Sequence, residues 1–237
     1  MIDTGRWWML VVVLVAAAGL GIAGSRGTLA GESAVIIPAP ALDDSKGGAA
    51  GLQTAVVAGG CFWGVQAVYQ HVRGVQTVLS GYAGGSKETA SYEVVSRGGT
   101  GHAESVEIRF DPKELSFGEV LQIYFSVVHD PTQLNRQGPD VGSQYRSSIF
   151  YADESQRRIA EAYIAQLEKS KVFARPIVTR VDALDAFYPA ESYHQDFLLR
   201  HPTNAYIVFN DLPKIENLKR VFPARYREEP VTTAKTN

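Results

Sequence analysis

The chain has 237 residues, a formal net charge of −2 and 45% hydrophobic residues, which is typical of one globular domain with extensions. The near-zero charge and the lack of a basic run argue against nucleic-acid binding, so no nucleic-acid partner is expected. Cys61 is the single cysteine, which excludes an intrachain disulfide and a cysteine-rich metal site; the five histidines lack zinc-ligand spacing, and no metal site is expected.

The N-terminal segment has the composition of an export signal. Trp7 to Gly24 is uncharged and rich in Leu, Val and Ala, and Arg6 precedes it. This pattern predicts a signal peptide over residues 1–25, or a membrane anchor if the segment is not cleaved, and therefore a periplasmic or extracellular protein. Residues 26–52 are rich in Gly, Ala, Ser and Pro, which predicts a flexible linker.

Cys61 lies at a predicted turn between a strand and a helix. The apolar run Thr54–Ala58 predicts a buried strand, Gly59 and Gly60 permit a sharp turn, and Phe62–Val72 has helical character. The free N–H groups and the dipole of a helix N-terminus favour a thiolate there. The alternative is a small buried hydrophobe, and Cys61 alone does not decide between the two.

Glu104 belongs to the most regular strand of the sequence, after an earlier strand predicted over Val75–Tyr82. In His102–Phe110, Glu104 shares the parity of three apolar residues, so its side chain is expected on the apolar face. Burial raises the pKa of a carboxyl, and a protonated Glu can act as a general acid. The alternative is a glutamate at the strand end that reaches solvent.

The remaining elements alternate in type and complete the fold prediction. In chain order they are a helical turn at Tyr92–Ser96, a helix at Val120–Val128 behind a Ser116–Glu119 capping box, a long loop at Asp130–Gln144, a strand at Arg146–Tyr151, a helix capped by Asp153 and Gln156, a strand at Ile177–Val181 and a helical stretch at Asn210–Val221. The pattern predicts an α+β fold, a two-layer sandwich of a mixed β-sheet with packed helices. Residues 53–225 form this domain, and 226–237 are expected to be a disordered tail.

Aromatic residues cluster at predicted turns, namely Phe62, Trp63, Tyr82, Tyr92 and Tyr145. Aromatic side chains more often belong to a core than to a binding site, although a tryptophan directly after a turn cysteine is harder to explain as core. Asp140 lies in the long loop, where it can orient a tyrosine or a water, or simply cap the loop.

Several motifs together resemble the A-type peptide methionine sulfoxide reductases. They are Gly60-Cys61-Phe62-Trp63-Gly64, Gly81-Tyr82-Ala83-Gly84-Gly85, Gly101-His102-Ala103-Glu104, His129-Asp130-Pro131-Thr132-Gln133, Asn135-Arg136-Gln137-Gly138, Asp140-Val141-Gly142-Ser143-Gln144-Tyr145-Arg146-Ser147 and Tyr193-His194-Gln195. The resemblance runs from about Thr54 to about Pro223, and the number and order of the motifs make it specific.

The resemblance implies reduction of methionine S-sulfoxide, free or in proteins, as a repair of oxidative damage. Cys61 matches the nucleophile, which becomes a sulfenic acid, and Glu104 matches the acid. Phe62 and Trp63 match the pair that holds the substrate's methyl group. The supporting polar groups of the family match Tyr92, Asp140 and Tyr145. No bound cofactor and a monomeric enzyme are expected.

The chain departs from the family in how the sulfenic acid is recycled. Many members carry further cysteines, but Ser96 stands at one common position and residues 202–237 contain none. The reductant must therefore be an external thiol: a thioredoxin-like protein, glutaredoxin or a small thiol. Two other functions remain open on the residues alone. One is a cysteine hydrolase with His102 or His194 as base, and the other is a non-catalytic binder of oxidised peptides.

Overall fold

The computed structural model describes residues 33–44 and 51–233, so the predicted export signal at residues 1–25 lies outside the described residues. Eight strands are described: β1 (Gln53–Gly59), β2 (Val75–Ala83), β3 (Ala103–Phe110), β4 (Arg136–Gln137), β5 (Asp140–Val141), β6 (Ser147–Tyr151), β7 (Arg180–Ala183) and β8 (Phe187–Pro189). Six of them form one sheet in the order β7-β6-β1-β3-β2-β8, while β4 and β5 pair separately. All neighbours in the large sheet are antiparallel except β6 and β7, so the sheet is mixed.

The helices are α1 (Phe62–Gln70), α2 (Tyr92–Val95), α3 (Phe117–Ile123), α4 (Glu154–Ser170), α5 (Phe197–Arg200) and α6 (Leu212–Val221). Alternate residues of β1 point to opposite faces of the sheet. Val57 joins the large core formed with α1, α3 and α4, whereas Val56 and Ala58 join a smaller apolar cluster. The predicted α+β fold with helices packed on a mixed sheet is confirmed. No helix within 33–44 and 51–233 is both long and apolar enough to span a bilayer.

Local sequence signals locate most elements correctly. Ser116 and Glu119 form the predicted capping box of α3, and the Asp153 side chain accepts a hydrogen bond from the backbone of Gln156 at the start of α4. The strand predicted over Ile177–Val181 begins only at Arg180, where parallel pairing with β6 starts. β8 was not predicted, because a three-residue edge strand leaves no alternating pattern.

Residues 33–44, which we call the strap, pack on the domain although the sequence predicts a flexible linker there. Ile37 is buried, and the carbonyl of Pro38 accepts a hydrogen bond from the Tyr163 hydroxyl over 2.7 Å. Asp43 accepts hydrogen bonds from Ser116 and from the backbone of Gly118 at the start of α3. The linker prediction is therefore wrong for the strap, because isolated contacts at single residues leave no periodic signal.

The C-terminal segment is also more ordered than predicted. The backbone N–H groups of Arg227 and Val231 donate to the carbonyls of His71 and Gln70, over 2.8 and 3.0 Å. Thr233 donates to the carboxylate of Asp196. The predicted disordered tail therefore does not begin at 226, because residues 226–233 bind the end of α1.

Candidate active site

Cys61 lies in the turn between β1 and α1, as the sequence predicts. Gly60 before it has φ of +89°, a conformation that glycine adopts readily and other residues avoid. A Cβ atom on Gly60 would lie 2.6 Å from the side chain of Gln137, so the close approach also requires glycine. Cys61 itself precedes the first helical residue and is 9% exposed. The turn thus holds the thiol at the start of α1 beneath the surface.

The resting thiol is protonated, so the helix N-terminus alone does not produce the thiolate that it favours. Burial raises the pKa of Cys61 well above its ordinary value, and the carboxyls of Glu104 and Asp211 raise it further. The backbone N–H of Trp63 lowers this pKa, but not enough to compensate. A helix N-terminus contributes only about 0.3–1 kcal/mol to an anion, while desolvation of a buried charge costs several times more. The helix N-terminus can be predicted from the sequence, whereas the carboxyls that oppose it come near Cys61 only through the fold.

Glu104 lies in β3, and its side chain reaches the start of α1. Its Oε2 atom accepts a hydrogen bond from the backbone N–H of Phe62 over 3.1 Å. The side chain is 2% exposed, and burial raises its pKa to about 8, as the strand parity predicts. At neutral pH Glu104 is therefore mostly protonated, and it is hydrogen-bonded to the residue that follows Cys61. The carboxyl can donate a proton or a hydrogen bond to a group bound beside the thiol.

Phe62 and Trp63 form a fixed aromatic wall next to Cys61. The indole of Trp63 donates to Nδ1 of His194 over 3.2 Å and stacks on Phe197 at a centroid distance of 3.8 Å. Tyr206 meets the same indole edge-on. The ring of Phe62 is buried and packs against His194. The wall is therefore held on several sides, which suits recognition of a small apolar group.

The predicted polar groups join the same site. Burial raises the pKa of both Tyr92 and Tyr145, and the ionised forms of Glu104 and Cys61 act on both in the same direction. The two hydroxyls are therefore within electrostatic reach of the thiol and the acid. Asp140 accepts a hydrogen bond from the hydroxyl of Tyr206, a contact that fits one of the roles its sequence position leaves open. Burial raises the pKa of Asp140 as well.

Sequence reasoning missed several residues that hold this site in place. Glu191 accepts hydrogen bonds from the Tyr82 hydroxyl and from the backbone of Tyr92, both over 2.9 Å. His194 was considered only as the base of a hydrolase, whereas in the structure it contacts the rings of Trp63 and Phe62. Asp211 is fully buried beside α1 and gave no local signal. Each of these contacts joins segments distant in sequence, so only the fold reveals them.

The chain is similar throughout this domain to known proteins of one family. The model of the family described as peptide methionine sulfoxide reductase matches residues 53–226. The protein MsrA 2 of Mesorhizobium japonicum, a peptide methionine sulfoxide reductase, is 60% identical over 183 residues, which cover 77% of this chain and 94% of that protein. The MsrA 2 of Synechocystis sp., of the same description, is 50% identical over 196 residues, covering 82% of this chain and 92% of that protein.

Solved structures agree with this likeness. Methionine sulfoxide reductase A of Corynebacterium diphtheriae superposes with a TM-score of 0.55 at 31% identity, covering 75% of this chain and 90% of that chain. The reduced form of Mxr1 from Saccharomyces cerevisiae superposes with a TM-score of 0.58 at 30% identity, covering 65% of this chain and 88% of that chain.

Proposed function

The chain belongs to the peptide methionine sulfoxide reductase family and reduces methionine sulfoxide to methionine, and we propose that Cys61 is its nucleophile and Glu104 its acid. The activity repairs oxidised methionine in proteins. One observation supports the assignment of residues above all others. A carboxyl with a pKa of about 8 is hydrogen-bonded to the residue after the cysteine, so a proton donor stands beside the only thiol.

The reaction follows from these two groups. A sulfoxide sulfur is attacked only when its oxygen is protonated or strongly hydrogen-bonded. Glu104 donates its proton to that oxygen while the sulfur of Cys61 attacks the substrate sulfur, and the thiol proton then restores Glu104. The oxygen moves to Cys61 and methionine leaves, so that Cys61–SH and the sulfoxide become Cys61–SOH and the thioether. The two protons of the resting enzyme are conserved, and none is taken from solvent.

The substrate is held by the aromatic wall and the polar groups opposite it. Phe62 and Trp63 contact the S-methyl group, since sulfur and methyl groups pack favourably on aromatic rings. The hydroxyls of Tyr92 and Tyr145 donate to the sulfoxide oxygen, and Asp140 orients this polar side of the site through Tyr206. We assign the S epimer at sulfur, following the A-type resemblance. Turnover of separated sulfoxide epimers tests this assignment.

Recycling must use a thiol from another molecule. The chain has one cysteine, so an external thiol attacks the sulfenic acid, forms a mixed disulfide with Cys61 and releases water. A second thiol then frees Cys61–SH and leaves a disulfide between the two thiols. We propose a thioredoxin-like protein, glutaredoxin or a small thiol in this role, with no bound cofactor in the enzyme. Turnover assays that supply each donor separately identify the reductant.

We also propose that the chain works outside the cytoplasm as a monomer. The support for export is the apolar segment Trp7 to Gly24 with Arg6 before it. Fractionation of cells that express the full-length chain, with a chain lacking residues 1–25 as control, tests this location. Retention of both chains in the cytoplasm contradicts it. Size-exclusion chromatography of the purified protein tests the monomer.

The two rival functions are less compatible with the site. A hydrolase needs a histidine base at Cys61. Instead Nε2 of His102 bonds the carbonyl of Ser86, and Nδ1 of His194 accepts from Trp63. A non-catalytic binder has no need of a buried acid beside the cysteine. Sulfenic acid formed on Cys61 in proportion to the substrate added separates the reductase from both rivals, because neither rival produces it.

A further inference from the structure

A buried ion pair lies behind the first turn of α1. Nζ of Lys214 is 3.4 Å from Oδ1 of Asp211, and the two side chains are 8% and 0% exposed. By comparison, about a quarter of each side chain is exposed in the ion pair between Arg225 and Glu119. Neither oxygen of Asp211 has a hydrogen-bond partner of normal geometry. The carboxylate thus has one ammonium group as its main compensation.

The Asp211 carboxylate packs against the first turn of α1, which follows Cys61. A Cβ atom on Gly64 would lie 2.1 Å from Oδ1 of Asp211 and 3.0 Å from Nζ of Lys214, so only glycine leaves room for the pair. Gly64 lies in the first turn of α1, three residues after Cys61. The ion pair therefore packs against the helix turn that directly follows the cysteine.

The pair is hard to explain as a source of stability. Removing two charges from water costs free energy that their attraction offsets only with good geometry and further hydrogen bonds. Here those hydrogen bonds are missing, and burial raises the pKa of Asp211 to about 6, so its carboxyl is still mostly ionised at neutral pH. A charge kept at such a cost beside the nucleophile points to a role in the site.

The charge of Asp211 acts on Cys61 in the direction that disfavours a thiolate. Besides Asp211, the charged or titratable groups around Cys61 are Glu104 from β3, Asp140 from β5, Tyr92 from α2, Tyr145 from the turn before β6 and Tyr206 from the turn before α6. Glu104 is mostly protonated at neutral pH, and of the other two carboxyls Asp211 raises the pKa of Cys61 more than Asp140 does.

We propose that Asp211, held in place by Lys214, is a positioning residue that fixes the first turn of α1 at Gly64 and keeps the resting Cys61 thiol protonated. The proposal rests on Cys61 being the nucleophile. Hydrogen peroxide oxidises a thiolate to a sulfenic acid: one peroxide oxygen is transferred to the sulfur and the other leaves as hydroxide. A protonated thiol reacts poorly in this way. Because this chain has no second cysteine, each such oxidation must be reversed by an external thiol. The ion pair therefore slows the oxidation of Cys61 by peroxide in the resting enzyme, so that the thiol remains available to react with a bound sulfoxide.

Titration of the single thiol tests the proposal without substrate. The ultraviolet absorbance of the thiolate is measured as a function of pH in three proteins: wild type, Asp211→Asn, and the double variant Asp211→Asn with Lys214→Met. The spectrum of the matching Cys61→Ser protein is subtracted from each. The expected order of midpoints is Asp211→Asn lowest, the double variant next and wild type highest. A midpoint lowered by about one unit gives roughly ten times more thiolate at neutral pH, and a similarly faster reaction with hydrogen peroxide.

The double variant covers the risk that Asp211→Asn does not fold, because it leaves no unpaired charge in the interior. Glu119→Gln is the matched control, because it neutralises a partly buried carboxylate in another ion pair. Glutamine can also replace glutamate in the capping box of α3. Its midpoint should equal that of wild type. A midpoint in Asp211→Asn or in the double variant that is equal to or above wild type overturns the proposal. Failure of the proposed function would instead appear as sulfoxide reduction by Cys61→Ser.

Discussion

The backbone N–H of Phe62 donates a hydrogen bond to Oε2 of Glu104 over 3.1 Å. This contact joins strand β3 to the first turn of α1 and places the acid beside the cysteine. It also satisfies one of the free N–H groups at the helix N-terminus. The carboxyl that accepts this bond at the turn is thus the same one that we propose as the proton donor of the reaction.

Glu104→Gln should slow the reduction far more than it weakens substrate binding. Glutamine still accepts the hydrogen bond from Phe62 and can donate to the sulfoxide oxygen, but it has no proton to transfer. Loss of a general acid typically costs about 10²- to 10⁴-fold in rate. Single-turnover kinetics on methionine sulfoxide measure the effect, and urea unfolding of the same variant checks its stability. A rate within a few-fold of wild type means that Glu104 is not the acid.

The single-turnover rate should fall as pH rises through about 8, the pKa to which burial raises Glu104. The active form carries the proton, and a raised pKa means that this form persists below that pH and is lost above it. Well above the pKa, the rate should decrease about tenfold for each pH unit. Glu104→Gln should lack this decrease, because its side chain does not titrate. A decrease of the same size in both proteins would assign it to another group.

Trp63→Ala should weaken substrate binding by about two- to twelvefold, since a sulfur-aromatic contact contributes roughly 0.3–1.5 kcal/mol. Trp63→Phe keeps an aromatic face but loses the hydrogen bond to His194, so its effect should be smaller. The dissociation constant for methionine sulfoxide, measured in a Cys61→Ser background that cannot react, gives the comparison. Equal affinity in Trp63→Ala and wild type would show that the indole does not contact the substrate.

The strap should contribute to stability through one of two adjacent isoleucines. Ile37 is 6% exposed and Ile36 is 77% exposed. Ile37→Ala should lower the free energy of unfolding by about 2–4 kcal/mol, as for other buried isoleucines. Ile36→Ala should change it by less than about 0.5 kcal/mol. Urea denaturation of both variants measures the difference. Equal effects of the two substitutions would mean that the strap does not pack as described.

Patterns within a few residues predicted the elements that carry the proposed nucleophile and acid. Glycines around Cys61 marked the turn, and the parity of β3 placed Glu104 on the buried face and predicted its raised pKa. Such signals succeed because strand alternation and turn chemistry depend on near neighbours. The roles of Phe62 and Trp63 came from the resemblance to a family rather than from any local pattern.

The ionisation of Cys61 was beyond sequence reasoning, because it depends on groups far apart in the chain. Asp211 follows Cys61 by 150 positions in the numbering, yet its carboxylate contacts Gly64. His194 and Phe197 likewise reach Trp63 only through the fold. The local sequence indicates the helix dipole, but it does not indicate the burial of Cys61 or the distant charges. Those two effects on the pKa of Cys61 are larger than the effect of the dipole.

The most direct test of the account is a single turnover on methionine sulfoxide without any thiol, with dimedone present to trap a sulfenic acid. Because the chain has one cysteine, wild type should form a single equivalent of methionine, and mass spectrometry should find the dimedone adduct on Cys61 only after substrate is added. Cys61→Ser should form no methionine. Methionine formed by Cys61→Ser, or equal labelling of Cys61 with and without substrate, would contradict the proposed chemistry.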